Sequence, residues 1–213
     1  MPSKKPATAA AYHREDLRAD LLRKGHSHVA AYGHESLSMR ALAQSVGVSP
    51  GAPYHYFPDR RSLLLAIAVD GFDQLLALGE DPDGQSLTPD RRLARIVETF
   101  LEFQQDHPRL LELMYESELT RPVIDAAIAA QQVRGFDLLT AAIVAARPLE
   151  RVVAQRRAVV FWATTYGFAS LIGKGLLQPF ADGGAATVAK WREALITQTV
   201  ADAIAPQSEP AGS

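Results

Sequence analysis

Two short segments with helical apolar spacing lie almost end to end. Met39, Leu42, Ala43 and Val46 recur at i, i+3, i+4 and i+7, the signature of one buried helix face. Ser38 precedes them with the chemistry of an N-cap, and Gly47 follows where a left-handed residue ends a helix. After Val48 the pattern restarts: Ser49 again suits an N-cap, and Pro50 suits the first helical position, where its missing N–H costs nothing. This punctuation predicts two short helices, a pattern that short Ser-capped helices also show in other folds. Joined by Gly47-Val48-Ser49, they form a helix-turn-helix.

The rest of the chain repeats the theme without a strand pattern. A first helix is expected from about residue 14 to 32, with Leu17, Leu21, Leu22, Val29 and Tyr32 on one face and Gly33 past its end. Gly25 sits inside it, at a cost of about 1 kcal/mol against Ala, and allows a neighbouring helix to approach. Asp59 caps a long helix over 60–78 carrying Leu63, Leu64, Ile67, Phe72, Leu75 and Leu76. Helices are further expected over 88–106, 108–115, 123–146, 149–177 and 185–205, each bounded by Pro or Gly. The expected fold is all-α with about nine helices: an N-terminal three-helix head over 14–62, and a C-terminal helical ligand and dimerisation body over 79–205. The helix over 60–78 connects them as a lever, and residues 1–13 and 206–213 read as a disordered arm and tail.

Composition excludes several classes. The 213 residues contain no cysteine, so there is no disulfide scaffold, thiolate metal site or Cys nucleophile. There is no asparagine, hence no N-glycosylation acceptor. The longest uncharged apolar stretch, 158–173, is short of the ~20 residues a membrane helix needs, and no export signal is evident. A cytoplasmic protein without a membrane partner is expected. The net charge of −2 is unevenly spread. Residues 1–63 hold nine Lys/Arg against five Asp/Glu and five of the six histidines, while the remainder holds thirteen against nineteen. A basic head on an acidic body points to two tasks in one chain.

Helical geometry assigns the faces of the second short helix. At 100° per residue Pro53 and Phe57 point inward together, Gly51, Ala52 and His55 point outward, and Tyr54 and Tyr56 flank them. Small residues, an imidazole and phenols make a face that approaches base edges closely. Charge comes from around it: Arg40 and Gln44 on the first short helix, Arg60 and Arg61 at the start of the long one. Backbone N–H groups at these helix starts, including that at Ser49, suit phosphates.

The run from Leu37 to Leu64, LSMRALAQSVGVSPGAPYHYFPDRRSLL, strongly resembles the DNA-binding domain of TetR-type transcriptional regulators, and the resemblance extends over about 14–78. It implies a homodimeric repressor whose two heads straddle a palindromic operator in double-stranded DNA and whose body binds a small-molecule effector. By the same resemblance Ser38 and Arg40 touch phosphate. Pro50, Gly51, Ala52, Tyr54 and His55 lie at the bases or flanking backbone, and Tyr56 and Arg60 contact phosphate. Pro50 and Pro53 depart from the family's frequent basic or polar and aliphatic residues there, and His26 and His28 stand where aliphatics are common.

In the body, Trp162-Ala-Thr-Thr-Tyr166-Gly167 is similar to the Trp-x-x-x-His-Gly signature of one TetR C-terminal subgroup, with Tyr for His. Trp162 and Tyr166 are either ordinary core one turn apart or the lining of an effector cavity with Phe100, Phe103, Met114, Tyr115, Phe136 and Thr165. An apolar or aromatic effector is the expectation. The last helix has two apolar stripes, Val188-Trp191-Leu195 and Ile196-Val200-Ile204, and the helix before it offers the small set Ala163, Gly167 and Ser170. A helix apolar on two sides packs on its own core and on a partner, which fits a dimer interface; the stripes alone leave open which faces the partner.

His26 and His28 are two residues apart and fall on different helix faces, so no metal site is expected with His34, and no cofactor. The competing classes are a small all-α enzyme and a helical scaffold that binds only protein. Against the first, the chain has no phosphate loop, no G-x-G-x-x-G opening a βαβ unit, no H-E-x-x-H and no recognisable Ser/His/acid set. Against the second stands the basic, aromatic head.

Overall fold

The computed structural model describes residues 9–79 and 87–206. Among these there are only helices and turns: α1 (Ala9–Tyr32), α2 (Met39–Val46), a 3-10 turn (Ala52–His55), α3 (Arg60–Gly79), α4 (Pro89–Asp106), α5 (Pro108–Glu116), α6 (Ala126–Ala146), α7 (Arg151–Gly173), a 3-10 turn (Gln178–Phe180) and α8 (Ala185–Ile204). The all-α expectation is met with eight α-helices rather than nine.

The missing helix is the one expected at Pro50. Its residues close i to i+3 bonds instead, Ala52 N–H to Ser49 O at 3.0 Å and Tyr56 N–H to Pro53 O at 3.0 Å. Pro53 has no N–H to give to an α-type bond, and Pro58 forbids continuation, so one tight turn is all the chain can build. Gly51, not Ser49, stands before its first residue, with no side-chain cap. Other boundaries also shift. α1 begins at Ala9, so the expected arm is already helical at 9–13, where three alanines favour helix. α6 begins at Ala126 because Asp125 accepts from Ala127 N–H at 3.0 Å and outcompetes Val123 as a start. α7 stops at Gly173, and Gly175 takes φ +68° just beyond. The Gly/Asp/Pro-rich stretch over 79–88 reads from the sequence as a loop; residues 80–86 of it, and 207–213 of the expected tail, lie outside the described residues.

Two compact units share the chain, Met1–Phe72 with Arg109–Ala129, and Asp73–Pro108 with Ala130–Ser213. In the first, α1, α2 and α3 bury Leu21, Val29, Leu37, Met39, Leu42, Phe57, Leu63, Leu64 and Ile67. Gly25 works as expected: a Cβ there would lie 2.8 Å from Ile67 Cδ1 of α3. Gly71 plays the same part against α5, where a Cβ would meet Met114 Sδ at 2.9 Å and Leu110 Cδ1 at 3.1 Å. In the second unit α4, α7 and α8 pack on one another. Ala154, Ala158 and Ala169 of α7 are buried, small enough for close helices, against a core that includes Leu93, Val97, Phe100 and Phe161. Arg157 and Arg147 donate to the carbonyls of Ala203 and Ile204 at 2.9 and 3.2 Å and so satisfy the end of α8.

The turn that aims the head depends on Gly47, which holds φ +79° and ψ 28°. Its N–H and that of Val48 return to Gln44 O and Ala43 O at 3.1 and 3.0 Å, closing the helix end. A Cβ in this left-handed region costs about 1–2 kcal/mol. Gly47→Ala is therefore expected to lower unfolding free energy in urea by about 1 kcal/mol, whereas Gly51→Ala, at negative φ with open space around the new methyl, changes it little. Equal stabilities for the two variants would contradict the left-handed cap.

Candidate functional site

Ser38 has extended backbone and its hydroxyl accepts from Ala41 N–H at 3.5 Å, which starts α2. Met39, Leu42 and Ala43 are buried beneath, so Arg40 and Gln44 are presented to solvent. Beyond Gly47 the chain buries Pro53 and Phe57, as helical geometry requires even of a single turn, and exposes Ser49, Pro50, Gly51, Tyr54 and His55, with Ala52 and Tyr56 half-buried. The predicted outward set is therefore brought to one exposed edge of α2 and the turn. Arg18 of α1 lies 5.4 Å from the Phe57 ring centroid, a cation–π contact on the buried end of that turn. Its partner is far along the chain, so no local pattern marks it.

Asp59 ends the segment. Its carboxylate accepts from the Ser62 N–H at 2.7 Å and the Ser62 hydroxyl at 2.8 Å, and these bonds hold it below the ordinary carboxyl pKa. A depressed folded-state pKa makes the contribution present above the ordinary value and lost as pH falls through the lowered one. The start of α3 is thus expected to loosen only in acid.

Arg60 and Arg61 make their bonds within the first unit. The Arg60 side chain turns to the α1–α2 connection and donates to Leu37 O at 3.0 Å, His34 O at 2.6 Å and Glu35 O at 3.3 Å. Its remaining nitrogen meets Glu118 Oε1 at 2.7 Å. Arg61 donates to Glu118 O at 2.6 Å and pairs with Asp125 at 3.2 Å. These partners follow α5, 57 to 64 residues away, and nothing in the local sequence signals them. Arg109, another residue without a sequence signal, donates to Ala31 O and ties off the end of α1.

The histidines of the head have separate tasks. His26 pairs with Asp70 at 2.8 Å, His28 bonds Ser36 at 2.9 Å and stacks near Tyr32, and His34 is buried. Among the described residues no group of three or more His, Cys, Asp or Glu is arranged to hold a metal ion.

The residues expected to line a cavity divide between the two units. Phe100, Trp162 and Tyr166 form one aromatic cluster in the second, with ring centroids 4.8 Å apart for Phe100–Trp162, 5.8 Å for Trp162–Tyr166 and 6.3 Å for Phe100–Tyr166. Phe100 and Phe103 are buried, while Trp162 and Tyr166 are half-buried. Thr165 is buried but donates to Phe161 O at 2.9 Å, so its hydroxyl is already used. Phe136 is half-buried on α6. Met114 and Tyr115 belong to the first unit, where Met114 lies under Gly71 and the Tyr115 ring sits 5.2 Å from Phe72. Along α4 and α8 an open groove of about 480 Å³ is lined by Thr88, Arg91, Glu98, Glu193, Ile196 and Val200 among others, none of them in the aromatic cluster.

Of the set expected at a dimer interface, Ala163 is exposed, Gly167 and Ser170 are half-exposed, and a Cβ at Gly167 would meet nothing within 4 Å. Val152, Val159 and Val160 of the same α7 face are 76%, 56% and 56% exposed. On α8, Val188, Trp191 and Leu195 are half-buried, whereas Val200 turns into the core.

Comparison with known proteins agrees with this geometry. Residues 21–67 match the family described as "Bacterial regulatory proteins, tetR family", and residues 93–192 match "Tetracyclin repressor-like, C-terminal domain". The HTH-type transcriptional repressor KstR of Rhodococcus jostii is 30% identical over 99 residues, covering 46% of this chain and 44% of that one. The nucleoid occlusion factor SlmA of Glaesserella parasuis is 27% identical over 113 residues, covering 50% and 56%. The chain spans about half the length of these curated relatives. A solved structure of a protein of unknown function from Rhodococcus sp. RHA1 superposes with a TM-score of 0.72 at 28% identity, over 92% of this chain and 98% of that one.

Proposed function

The chain belongs to the TetR family of bacterial regulatory proteins, and from that premise we propose that it is a cytoplasmic transcriptional repressor, dimeric on a palindromic operator and released by a small apolar or aromatic effector. The observation that carries the reading is the exposed edge of the head. Ser38, Arg40 and Gln44 of α2 stand beside Gly51, Tyr54 and His55 of a turn whose inner side is anchored by Pro53 and Phe57. Phosphate contacts come from Ser38, Arg40, Ser49 and Tyr56, and base contacts from Pro50, Gly51, Ala52, Tyr54 and His55. A nearly uncharged reading face leaves affinity to the backbone contacts and specificity to a few polar groups. Arg60 serves as a staple of the α1–α2 connection, and Arg61 is the cation nearest to service on phosphate.

For release, the cluster of Phe100, Trp162 and Tyr166 supplies the apolar surface that an aromatic effector requires, with Tyr166 as a polar handle. An effector dissociates DNA only through its differential affinity for the state in which the two heads no longer match the half-sites. Trp162→Phe leaves Trp191 as the remaining indole, so fluorescence quenching assigned to Trp162 reports occupancy of the cluster directly.

Selection of bound duplexes from random DNA tests the whole reading. A dyad-symmetric sequence is expected, with affinity falling steeply as salt rises. His55→Ala is expected to change the selected bases, and Tyr56→Phe to weaken every sequence alike without changing the profile. Enrichment of no dyad sequence would overturn the repressor reading, and an unaltered profile for folded His55→Ala would remove His55 from base readout.

A further inference from the structure

We infer that the α5–α6 connection, residues 117–125, is a strap whose carboxylates compete with DNA phosphate for Arg61 at the start of α3; of its charged residues Glu118 and Asp125 are acidic and Arg121 basic. The inference rests on the DNA-binding reading above.

Three observations carry it. First, the strap is bound to the start of α3 through two arginines: Glu118 Oε1 meets Arg60 at 2.7 Å, Glu118 O accepts from Arg61 at 2.6 Å, and Asp125 pairs with Arg61 at 3.2 Å. Second, the strap is a formed structure. Ser117 is buried and its hydroxyl donates to Leu113 O at 2.6 Å while accepting from Leu119 N–H at 3.1 Å. Asp125 N–H returns to Leu119 O at 2.7 Å, and Leu119 is fully buried. The Asp125 carboxylate is held further by the Ala127 N–H, at 3.0 Å. Third, both ion pairs are partly open to solvent, with side chains 30% and 44% exposed in Arg60–Glu118 and 43% and 22% in Arg61–Asp125. An exposed ion pair is weak, so a phosphate of comparable charge can displace a carboxylate from it.

The two arginines differ in what they can release. Arg60 gives three bonds to the α1–α2 connection and holds Glu118 with its last nitrogen, so it stays where it is. Among the described residues Arg61 bonds Glu118 O and Asp125, and both lie on the strap. While the strap is seated, the formal charge of Arg61 is neutralised by Asp125 and the head presents less positive charge to DNA. Any change in the body that unseats 117–125 would free Arg61 for phosphate and raise affinity for duplexes of every sequence.

The test uses the full chain and a non-operator duplex at several salt concentrations. Asp125→Asn retains an amide oxygen that can cap α6 but loses the charge. It is expected to tighten duplex binding about fivefold at low salt and to steepen the salt dependence, each freed phosphate contact adding about 0.9 to the slope. In an Arg61→Ala background the same substitution is expected to have no such effect. An unchanged slope for Asp125→Asn would overturn the strap, and so would equal tightening with and without Arg61, which would mean that Asp125 merely repels DNA. Hydrogen exchange on the unmodified protein gives a second reading that needs no variant. The Asp125 amide is expected to lose protection when a saturating non-operator duplex is added, and undiminished protection would count against competition. If the unmodified protein binds no duplex at all, the DNA-binding reading falls and the strap falls with it, an outcome distinct from binding with unaltered slopes.

Discussion

Arg60→Met is expected to destabilise the folded protein by about 3 kcal/mol. Charge-assisted hydrogen bonds contribute about 1.5–3 kcal/mol each and do not add fully, and three carbonyls in the α1–α2 connection accept from this one guanidinium. Methionine replaces the stem but leaves the Leu37 carbonyl without this donor and the His34 carbonyl with only the Leu37 N–H, at 3.2 Å. Arg60→Lys is expected to recover little, because a single ammonium cannot span acceptors that a planar fork reaches together. Urea unfolding measures the loss, and duplex binding by the fraction still folded separates the two roles. A variant within 1 kcal/mol of the parent that nevertheless loses DNA would show that the guanidinium leaves its carbonyls to serve phosphate.

Val160→Glu is expected to produce folded monomers whose affinity for a palindromic duplex falls on the order of a hundredfold, the gain that linking two half-site contacts commonly provides. On a helical wheel Val152, Val159, Val160, Ala163, Gly167 and Ser170 fall within about 100°, and none is fully buried. Arg156 is the charged residue within that arc; we propose that the rest of this open face, on a helix whose other side is buried, is the surface a second copy covers. Val160 is 56% exposed, so a glutamate there does not disturb the core of its own protomer. Trp191 and Leu195 of α8 are half-buried, and a charge placed there would mix folding with association. Sedimentation at several concentrations checks the state directly. A Val160→Glu protein that stays dimeric would move the interface off this face of α7.

Much of the head is legible in the sequence because its signals are local. Ser38 caps α2 and Gly47 ends it within ten residues, through bonds that reach no further than five positions. The inward Pro53 and Phe57 and the outward Gly51, Tyr54 and His55 follow from a period that survives even when the helix shrinks to one turn. That shrinkage was itself written in Pro53 and Pro58, whose missing donors exclude an α-helix, although the N-cap chemistry of Ser49 points the other way. The division into helices by Gly and Pro, and the absence of a strand pattern, follow from the same short-range rules.

The tertiary structure decided the rest, for a physical reason that applies to long polar side chains in general. An arginine carries five donors on a flexible stem, and its neighbours in sequence do not limit where they go. Arg60 and Arg61 look like free cations beside a reading face until the chain returns at Glu118 and Asp125, 58 and 64 residues later, and occupies them. Gly25 announces that something approaches, but only the packing names Ile67 as the neighbour. In the body, the spacing of Trp162 and Tyr166 puts them one turn apart, while Phe100 joins them from α4 and Met114 and Tyr115 go instead with Gly71 and Phe72. Local chemistry determined where each helix starts, stops and faces; which distant groups meet there was set by the burial of apolar faces and by the search of each charged side chain for its acceptors.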